Sequence, residues 1–337
     1  MTISLPVALT MGEPAGIGGE LTLKAWANQR PGSVPFFTID SIDRLQRLAA
    51  KIKLAVKICK IDHPRDTAWS FPDALPVYDM GPITATPGEP TTATAKRVLD
   101  AIKVAVSFVA DGDATAVVTN PVQKSTLYNA GFKFPGHTEY LASLAKPAST
   151  PVMMLCCEGL RVVPVSIHMS LSNALAALSR DLIVEKGRVA AAALRTDFNI
   201  AHPRIAVAGL NPHAGEDGAM GDEEQTFIVP AIKRLRSYGI EAVGPYPPDT
   251  LFTVPMRKTY DVALCMYHDQ ALIPIKTLAF DTGVNTTLGL PFIRTSPDHG
   301  TALDIAGKGI AIESSLVAAI QLAATLANNR RGYLRKP

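Results

Sequence analysis

The sequence predicts an α/β protein with largely parallel sheets. Short β-branched runs alternate with longer amphipathic stretches along most of the chain. The first apolar run, LPVALT at 5–10, leads directly into a glycine-rich turn and then a helical pattern, as a strand-to-helix unit does. Hydrophobic residues fill 47% of the 337 positions, enough apolar material for two domain-sized cores.

In chain order the strand candidates are LPVALT (5–10), PFFTID (35–40), LAVKICKI (54–61), ATAVVTN (114–120), RIAVAGLN (204–211) and YDVALCMYH (260–268). Crossover helices are expected at SIDRLQRLAAKI, with Ser41 capping the first turn, and at TTATAKRVLDAIKVAVSFVADG, with Thr91 or Thr92 as the cap. The segment VMMLCCEGLRVVPVSIHM reads differently: two apolar runs flank Glu158-Gly159, which suits an antiparallel hairpin and so a mixed sheet. Pro245, Pro247 and Pro248 cluster in GPYPPDT, too short a stretch for a linker and read as a loop. Near the C-terminus, SLVAAIQLAATLA reads as a buried helix, shorter than the roughly 20 residues a bilayer needs. No internal repeat or low-complexity tract marks a domain boundary.

Composition excludes several classes. A formal charge of +3, with Lys and Arg dispersed among acidic residues, predicts no nucleic-acid partner. The opening residues lack a basic start, an apolar core and a small-residue cleavage site, so a cytoplasmic protein with no membrane segment is expected. Cys59, Cys156, Cys157 and Cys265 have no CxxC spacing and read as small buried apolar residues, in keeping with a reducing compartment.

Seven histidines sort by context. His63 and His202 each precede a proline and read as solvated loop residues. His168 closes VVPVSIHM, His213 follows RIAVAGLN and His268 ends YDVALCMYH, all where an α/β site forms, outside the carboxyl ends of strands. Their wide separation leaves two readings open: a shared metal site, or three independent histidines bonding nearby loops. His137, with Thr138, stands at the start of an apparent helix, where the pair either meets an anion or simply caps the helix.

Two loops are candidates for binding anions. TMGEPAGIGGE permits close backbone approach but matches neither a Walker loop nor GxGxxG, so a structural turn competes equally with an anion site. The later stretch LIPIKTLAFDTGVNTTLGLPFIRTSPDHGTALDIAGKG sets Lys276, Asn285 and Arg294 among glycines and β-branched residues. Arg offers a rigid donor fork for carboxylate or phosphate and Lys a mobile point charge, a pairing suited to a substrate carrying both kinds of anion.

Six ordered blocks together resemble one family: GEPAGIGGE (12–20), VVTNPVQKSTLYNAGFKFPGHTEYLA (117–142), SIHMSL (166–171), GLNPHAGEDGAMGDEE (209–224), YDVALCMYHDQALIPIKTL (260–278) and GVNTTLGLPFIRTSPDHGTALDIAGKG (283–309). The family is the 4-hydroxythreonine-4-phosphate dehydrogenases, or PdxA family, of vitamin B6 biosynthesis. The resemblance implies metal ligation by His168, His213 and His268, and substrate contact by His137, Thr138, Lys276, Asn285 and Arg294. It implies a divalent ion, Zn²⁺ or in its place Mg²⁺ or Co²⁺, and a homodimer whose site draws histidines from both subunits.

The loop DHGTALDIAGKGIA also resembles the nicotinamide loop of isopropylmalate and isocitrate dehydrogenases, which implies their two-domain α/β/α fold rather than a Rossmann one, and NAD or NADP contact at His299, Gly300, Thr301 and Asp304. On that fold, residues 1–125 plus 285–337 form the domain with the cofactor loop, and 126–284 the domain with the metal histidines and dimer contacts. Two departures stand out. Gly19 replaces a proline common in the family, and NPVQKSTL replaces APLNKEAL. Related family members oxidise 4-phospho-D-threonate, 4-phospho-D-erythronate or a terephthalate-derived dihydrodiol, and phosphate acyltransferase is the alternative from a different class.

Overall fold

The structure, a computed structural model, describes residues 5–134, 136–145 and 150–335. Its contacts divide the chain into two compact units, Met1–Pro151 with Leu290–Ala327, and Val152–Gly289 with Asn328–Pro337.

The strands are β1 (Val7–Thr10), β2 (Phe36–Asp40), β3 (Ile58–Ile61), β4 (Leu75–Asp79), β5 (Val117–Thr119), β6 (Val152–Cys157), β7 (Leu160–Pro164), β8 (Arg204–Ala208), β9 (Glu241–Tyr246), β10 (Val262–Cys265), β11 (Val284–Leu288) and β12 (Arg294–Pro297). The α-helices are α1 (Gly18–Ala27), α2 (Ile42–Lys51), α3 (Thr67–Ser70), α4 (Ala95–Ala110), α5 (Lys124–Asn129), α6 (His137–Ala145), α7 (Leu171–Ala177), α8 (Arg180–Thr196), α9 (Val229–Ser237), α10 (Pro248–Leu251), α11 (Val254–Arg257), α12 (His268–Ala279) and α13 (Ser314–Leu334).

In the first unit the order β3-β4-β2-β1-β5-β12 is parallel throughout. Parallel strands need crossovers that cover both faces, so β1 and β2 are buried along their whole length, with Leu9, Phe37 and Ile39 fully out of water. The helix α4 packs its Val98, Ile102 and Ala105 onto this sheet. Ser41 caps α2, its hydroxyl accepting from the Arg44 amide at 3.3 Å. Neither Thr91 nor Thr92 caps α4 with its side chain. A short 3₁₀ turn over Thr92–Thr94 intervenes, and its own bonds replace a side-chain cap.

The second unit runs β11-β6-β7-β10-β8-β9 and is mixed. The hairpin β6/β7 is antiparallel about Glu158-Gly159, β11 lies antiparallel on β6, and β7, β10, β8 and β9 pair in parallel. Its core gathers Leu155, Val162, Ala206, Ala263 and Ile275, with the Tyr260 hydroxyl donating to the Leu251 carbonyl at 3.0 Å. Arg204 and Asp261 join the entrances of β8 and β10: the Arg204 Nη2 stands 3.1 Å from the Asp261 carboxylate, which also accepts the Arg204 amide at 2.8 Å.

Four strands lay outside the candidates, namely β4, β9, β11 and β12. The last two read VNTTL and RTSP, where the apolar signal is missing because Thr286, Thr287, Arg294 and Thr295 are buried polar residues. Two histidines also sit differently from their expected strand ends. The strand β7 stops at Pro164, leaving His168 in the following loop, and β10 stops at Cys265, making His268 the first residue of α12. Cys59, Cys156, Cys157 and Cys265 are all free thiols. Burial pushes the Cys156 thiol up to about 12, keeping it protonated and inert. No helix among the described residues is long and apolar enough to cross a membrane.

Candidate active site

His168 and His268 come together. Their rings lie 5.8 Å apart between centroids and line one cavity of about 400 Å³, shared with Ser166, Ser170 and Tyr267. Two imidazoles bound to one tetrahedral Zn²⁺ through nitrogens at about 2.0–2.1 Å have ring centres on the order of 5 Å apart, so the pair is spaced for a common ion. His268 Nδ1 is 2.7 Å from the Asp269 carboxylate, a contact that sets the ring's orientation and leaves Nε2 as the nitrogen for a metal.

His213 lines a different cavity of about 380 Å³, with Glu216, Asp217, Gln225 and Pro245. The two cavities share no lining residue. Among the described residues, no three His, Cys, Asp or Glu side chains of one chain converge on a common metal position.

Two of these histidines stand in left-handed backbone, a conformation that Lys53, Asn199 and Ala302 also adopt elsewhere. His168 has φ 51°, and His213 opens a run of five left-handed residues ending at Asp217. For a residue with a Cβ this region costs roughly 1–2 kcal/mol, so the surrounding structure must hold these loops in place.

The anion candidates fall on separate elements. Lys276 sits in the last turn of α12 with its ammonium 5.9 Å from the Phe280 ring centre, and Asn285 lies on β11. Arg294, on β12, is only 5% exposed, and its Nη2 donates to the Thr119 hydroxyl at 2.6 Å. Burial pulls its guanidinium down to about 10, still fully charged at neutral pH. The side chains of His137 and Thr138, which open α6, lie outside the described residues.

The loop carrying His299, Gly300, Thr301 and Asp304 is anchored by groups that sequence reasoning passed over. Thr301 donates its hydroxyl to Gln123 at 3.0 Å and accepts the Ile17 amide at 3.0 Å. Further along, Gly309 and Ala311 donate their amides to the fully buried Glu20 carboxylate at 3.2 and 2.9 Å, while Lys24 donates to the Gly309 carbonyl at 2.9 Å. The pattern [Glu20]-x-x-x-[Lys24] at i, i+4 spacing on α1 was the available signal, but its purpose depends on a partner 289 residues away.

Within that loop His299 Nδ1 contacts the Gly300 carbonyl at 3.0 Å, while its buried Nε2 has no partner among the described residues. Gly300 faces open space, and Asp304 is exposed. A buried imidazole nitrogen without a partner beside open backbone fits a polar planar ligand such as a nicotinamide.

The glycine-rich turn closes over a buried ion pair. Arg44 donates to the Asp40 carboxylate through Nε at 2.9 Å and through Nη2, and reaches the Pro14 carbonyl at 3.2 Å. A Cβ on Gly19 would stand 2.8 Å from this guanidinium, so the packing of the turn against Arg44 calls for glycine there. Beside it, burial holds the Glu13 carboxyl above the usual carboxylate range despite the Ala15 amide and Arg44 charge.

Comparison with known proteins identifies the family. Residues 34–323 match the family described as "Pyridoxal phosphate biosynthetic protein PdxA". The chain is 52% identical over 335 residues to the 4-hydroxythreonine-4-phosphate dehydrogenase of Bradyrhizobium diazoefficiens, covering 96% of this chain and 97% of that protein. Among solved structures it superposes on the 4-hydroxythreonine-4-phosphate dehydrogenase of Klebsiella pneumoniae with TM-score 0.86 at 39% identity, over 96% of this chain and all of that one (100%). A terephthalate 1,2-cis-dihydrodiol dehydrogenase from Burkholderia xenovorans matches less well, with TM-score 0.62 at 29% identity over 95% and 98% of the two chains. Matched over most of its length in sequence and in fold, the chain belongs to the PdxA family of pyridoxal phosphate biosynthetic proteins.

Proposed function

We propose that this chain oxidises 4-phosphooxy-L-threonine, with NAD⁺ or NADP⁺ as acceptor, to 2-amino-3-oxo-4-phosphooxybutanoate. That product loses CO₂ to give 3-amino-2-oxopropyl phosphate on the route to pyridoxal 5'-phosphate. The observation that carries the reading is the His168–His268 pair, spaced for one ion on one cavity in a chain of this family. When bound, a divalent metal would favour ionisation of the substrate hydroxyl and a nicotinamide would supply the hydride acceptor.

The chain's own residues bind and orient. His168, His213 and His268 would hold the ion, resident Zn²⁺ or else Mg²⁺ or Co²⁺, through their imidazole nitrogens. Arg294 offers its donor fork to the substrate's carboxylate or phosphate, and Lys276 balances the other anion. Asn285, His137 and Thr138 add polar contacts, while His299, Gly300, Thr301 and Asp304 receive the nicotinamide cofactor. Electron balance is simple: the alcohol carbon gives a hydride, its hydroxyl gives a proton, and the ketone then accepts the electrons released with CO₂.

The missing third histidine supports a homodimer in which a second copy brings its His213 to the His168–His268 pair. Apolar side chains beside that cavity favour this arrangement: Leu171 is 65% exposed, and Met169 and Leu175 are also open to solvent. Such a face is normally covered. The free thiols suit a cytoplasmic setting.

The test is a substrate panel with each nicotinamide cofactor, followed by absorbance of the reduced nicotinamide, together with metal analysis of the purified protein. Metal-dependent turnover of 4-phosphooxy-L-threonine is expected. Turnover confined to 4-phospho-D-threonate, 4-phospho-D-erythronate or the dihydrodiol, or chelator-resistant acyl transfer to phosphate, would overturn the assignment.

A further inference from the structure

The loop that presents His213 adopts a conformation its own residues do not favour. Residues 213–217 all have positive φ, from 42° at Glu216 to 80° at Gly215. Gly215 takes it without strain and His213 and Asp217 tolerate it, whereas Ala214 and Glu216 oppose it. What holds the loop lies seven or more residues further on, where Glu224 opens a π-helical turn over Glu224–Ile228 and is only 3% exposed.

That buried carboxylate is fully engaged. Its Oε1 accepts the Leu210 and Asn211 amides, each at 2.8 Å, and its Oε2 accepts the Asn211 side-chain amide at 3.0 Å. Glu223 grips the same Asn211 nitrogen from the other side at 2.7 Å. On the far side of His213, a Cβ on Gly215 would stand 2.5 Å from Glu224 Oε2, so the loop wraps the carboxylate on both flanks of the histidine. The strand β8 ends at Ala208, and no backbone ladder reaches residues 210 and 211; Glu224 takes over where the sheet stops.

We propose that Glu224 is the positioning residue for His213: by fixing the backbone of Leu210 and Asn211 it aims the imidazole toward the metal it shares with the His168–His268 pair. This rests on the reading of His213 as a ligand. Glu224 also lines the His213 cavity, but its carboxylate oxygens are taken up by Leu210 and Asn211, so it acts through the loop. The alternative, a carboxylate that merely stabilises the fold, would leave metal affinity untouched once the variant is folded.

Zinc affinity, measured by competition with a chromophoric chelator on full-length Glu224→Ala, Glu224→Gln and His213→Ala, separates these cases. Glu224→Ala should bind zinc about 10- to 100-fold more weakly, the range expected when a group supporting a ligand is lost. Glu224→Gln keeps one oxygen for the two backbone amides but turns an N–H₂ toward Asn211, and should lose less. Hydrogen exchange on the metal-free protein gives an independent readout: Leu210 and Asn211 should lose protection while Val207 and Leu264, inside strands, keep it. Wild-type zinc affinity in both Glu224 variants alongside a weakened His213→Ala would overturn the positioning role alone. Wild-type affinity in His213→Ala would instead sink the ligand reading, and unchanged exchange at Leu210 and Asn211 in both Glu224 variants would show that the carboxylate does not hold the loop.

Discussion

Arg294 concentrates the cost and benefit of a buried charge in one residue. Its guanidinium is almost out of water, with burial pulling its pKa down to about 10. Desolvation weakens its hydration and so strengthens its attraction for an incoming anion. Replacing it with Lys keeps the charge but loses the planar fork, and KM for the phosphorylated substrate should rise about 10- to 100-fold, the equivalent of about 1.5–3 kcal/mol for a charged hydrogen bond. Steady-state kinetics with kcat and KM separated would check this, and an unchanged KM would remove Arg294 from the substrate site. The same residue predicts a pH effect: a base with a lowered folded pKa is charged below that value, so anion binding in the wild type should fade as pH rises through about 10.

At the scale of elements, two loops of the candidate site are tied down by buried carboxylates, Glu20 and Glu224. Glu20 on α1 is one: it accepts two amides of the loop that follows His299. Changing it to Gln replaces one acceptor oxygen with a donor facing a backbone N–H, so the loop should loosen. We expect a higher KM for NAD⁺ or NADP⁺ with KM for the phosphorylated substrate unchanged; equal effects on both would mean the loop does not serve the cofactor. Asp261 serves the second unit in a different way. Burial alone would raise its pKa, but the hydrogen bonds and charge of Arg204 outweigh that and lower it. A carboxylate lowered on folding contributes stability above its unfolded pKa of about 4 and loses it as pH falls through the folded value. Urea unfolding of Asp261→Asn should therefore show a loss of stability at neutral pH that shrinks on acidification. A loss that stayed constant with pH would point to packing instead of charge.

At the scale of the whole molecule, His168 and His268 line one cavity and His213 lines another. If a second copy supplies His213, then His213→Ala and His268→Ala proteins, each inactive alone, should regain activity when mixed through refolding. Random pairing makes half the dimers mixed, and each mixed dimer rebuilds one of its two sites, so about a quarter of wild-type activity is expected. No recovery, with mixed dimers verified by mass, would place all three ligands in one subunit. Removing the metal with a chelator should abolish turnover and restore it on adding Zn²⁺ back. The C-terminal helix adds an anchor of its own, as Arg330 clamps the buried Asp197 carboxylate through two bonds of 2.7 Å in the second unit.

Much of this protein was legible from local sequence. The parallel β1 and β2 strands, the β6/β7 hairpin and the Ser41 cap all lie within continuous motifs, because a strand, a turn or a cap depends on residues a few positions apart. What stayed hidden depends on partners distant in sequence or on polar groups whose burial the sequence does not announce. The strands β11 and β12 carry Thr and Arg where a hydrophobic pattern was sought. Glu20 gains its purpose from Gly309 and Ala311, and Gly19 from the Arg44 guanidinium it packs against. The left-handed turn around His213 has too little local cause in PHAGEDG, since four of its five residues carry a Cβ and Ala214 and Glu216 are ill suited to it. A folded carboxylate at Glu224 supplies what local propensity lacks, and that compensation exists only once the chain has closed on itself.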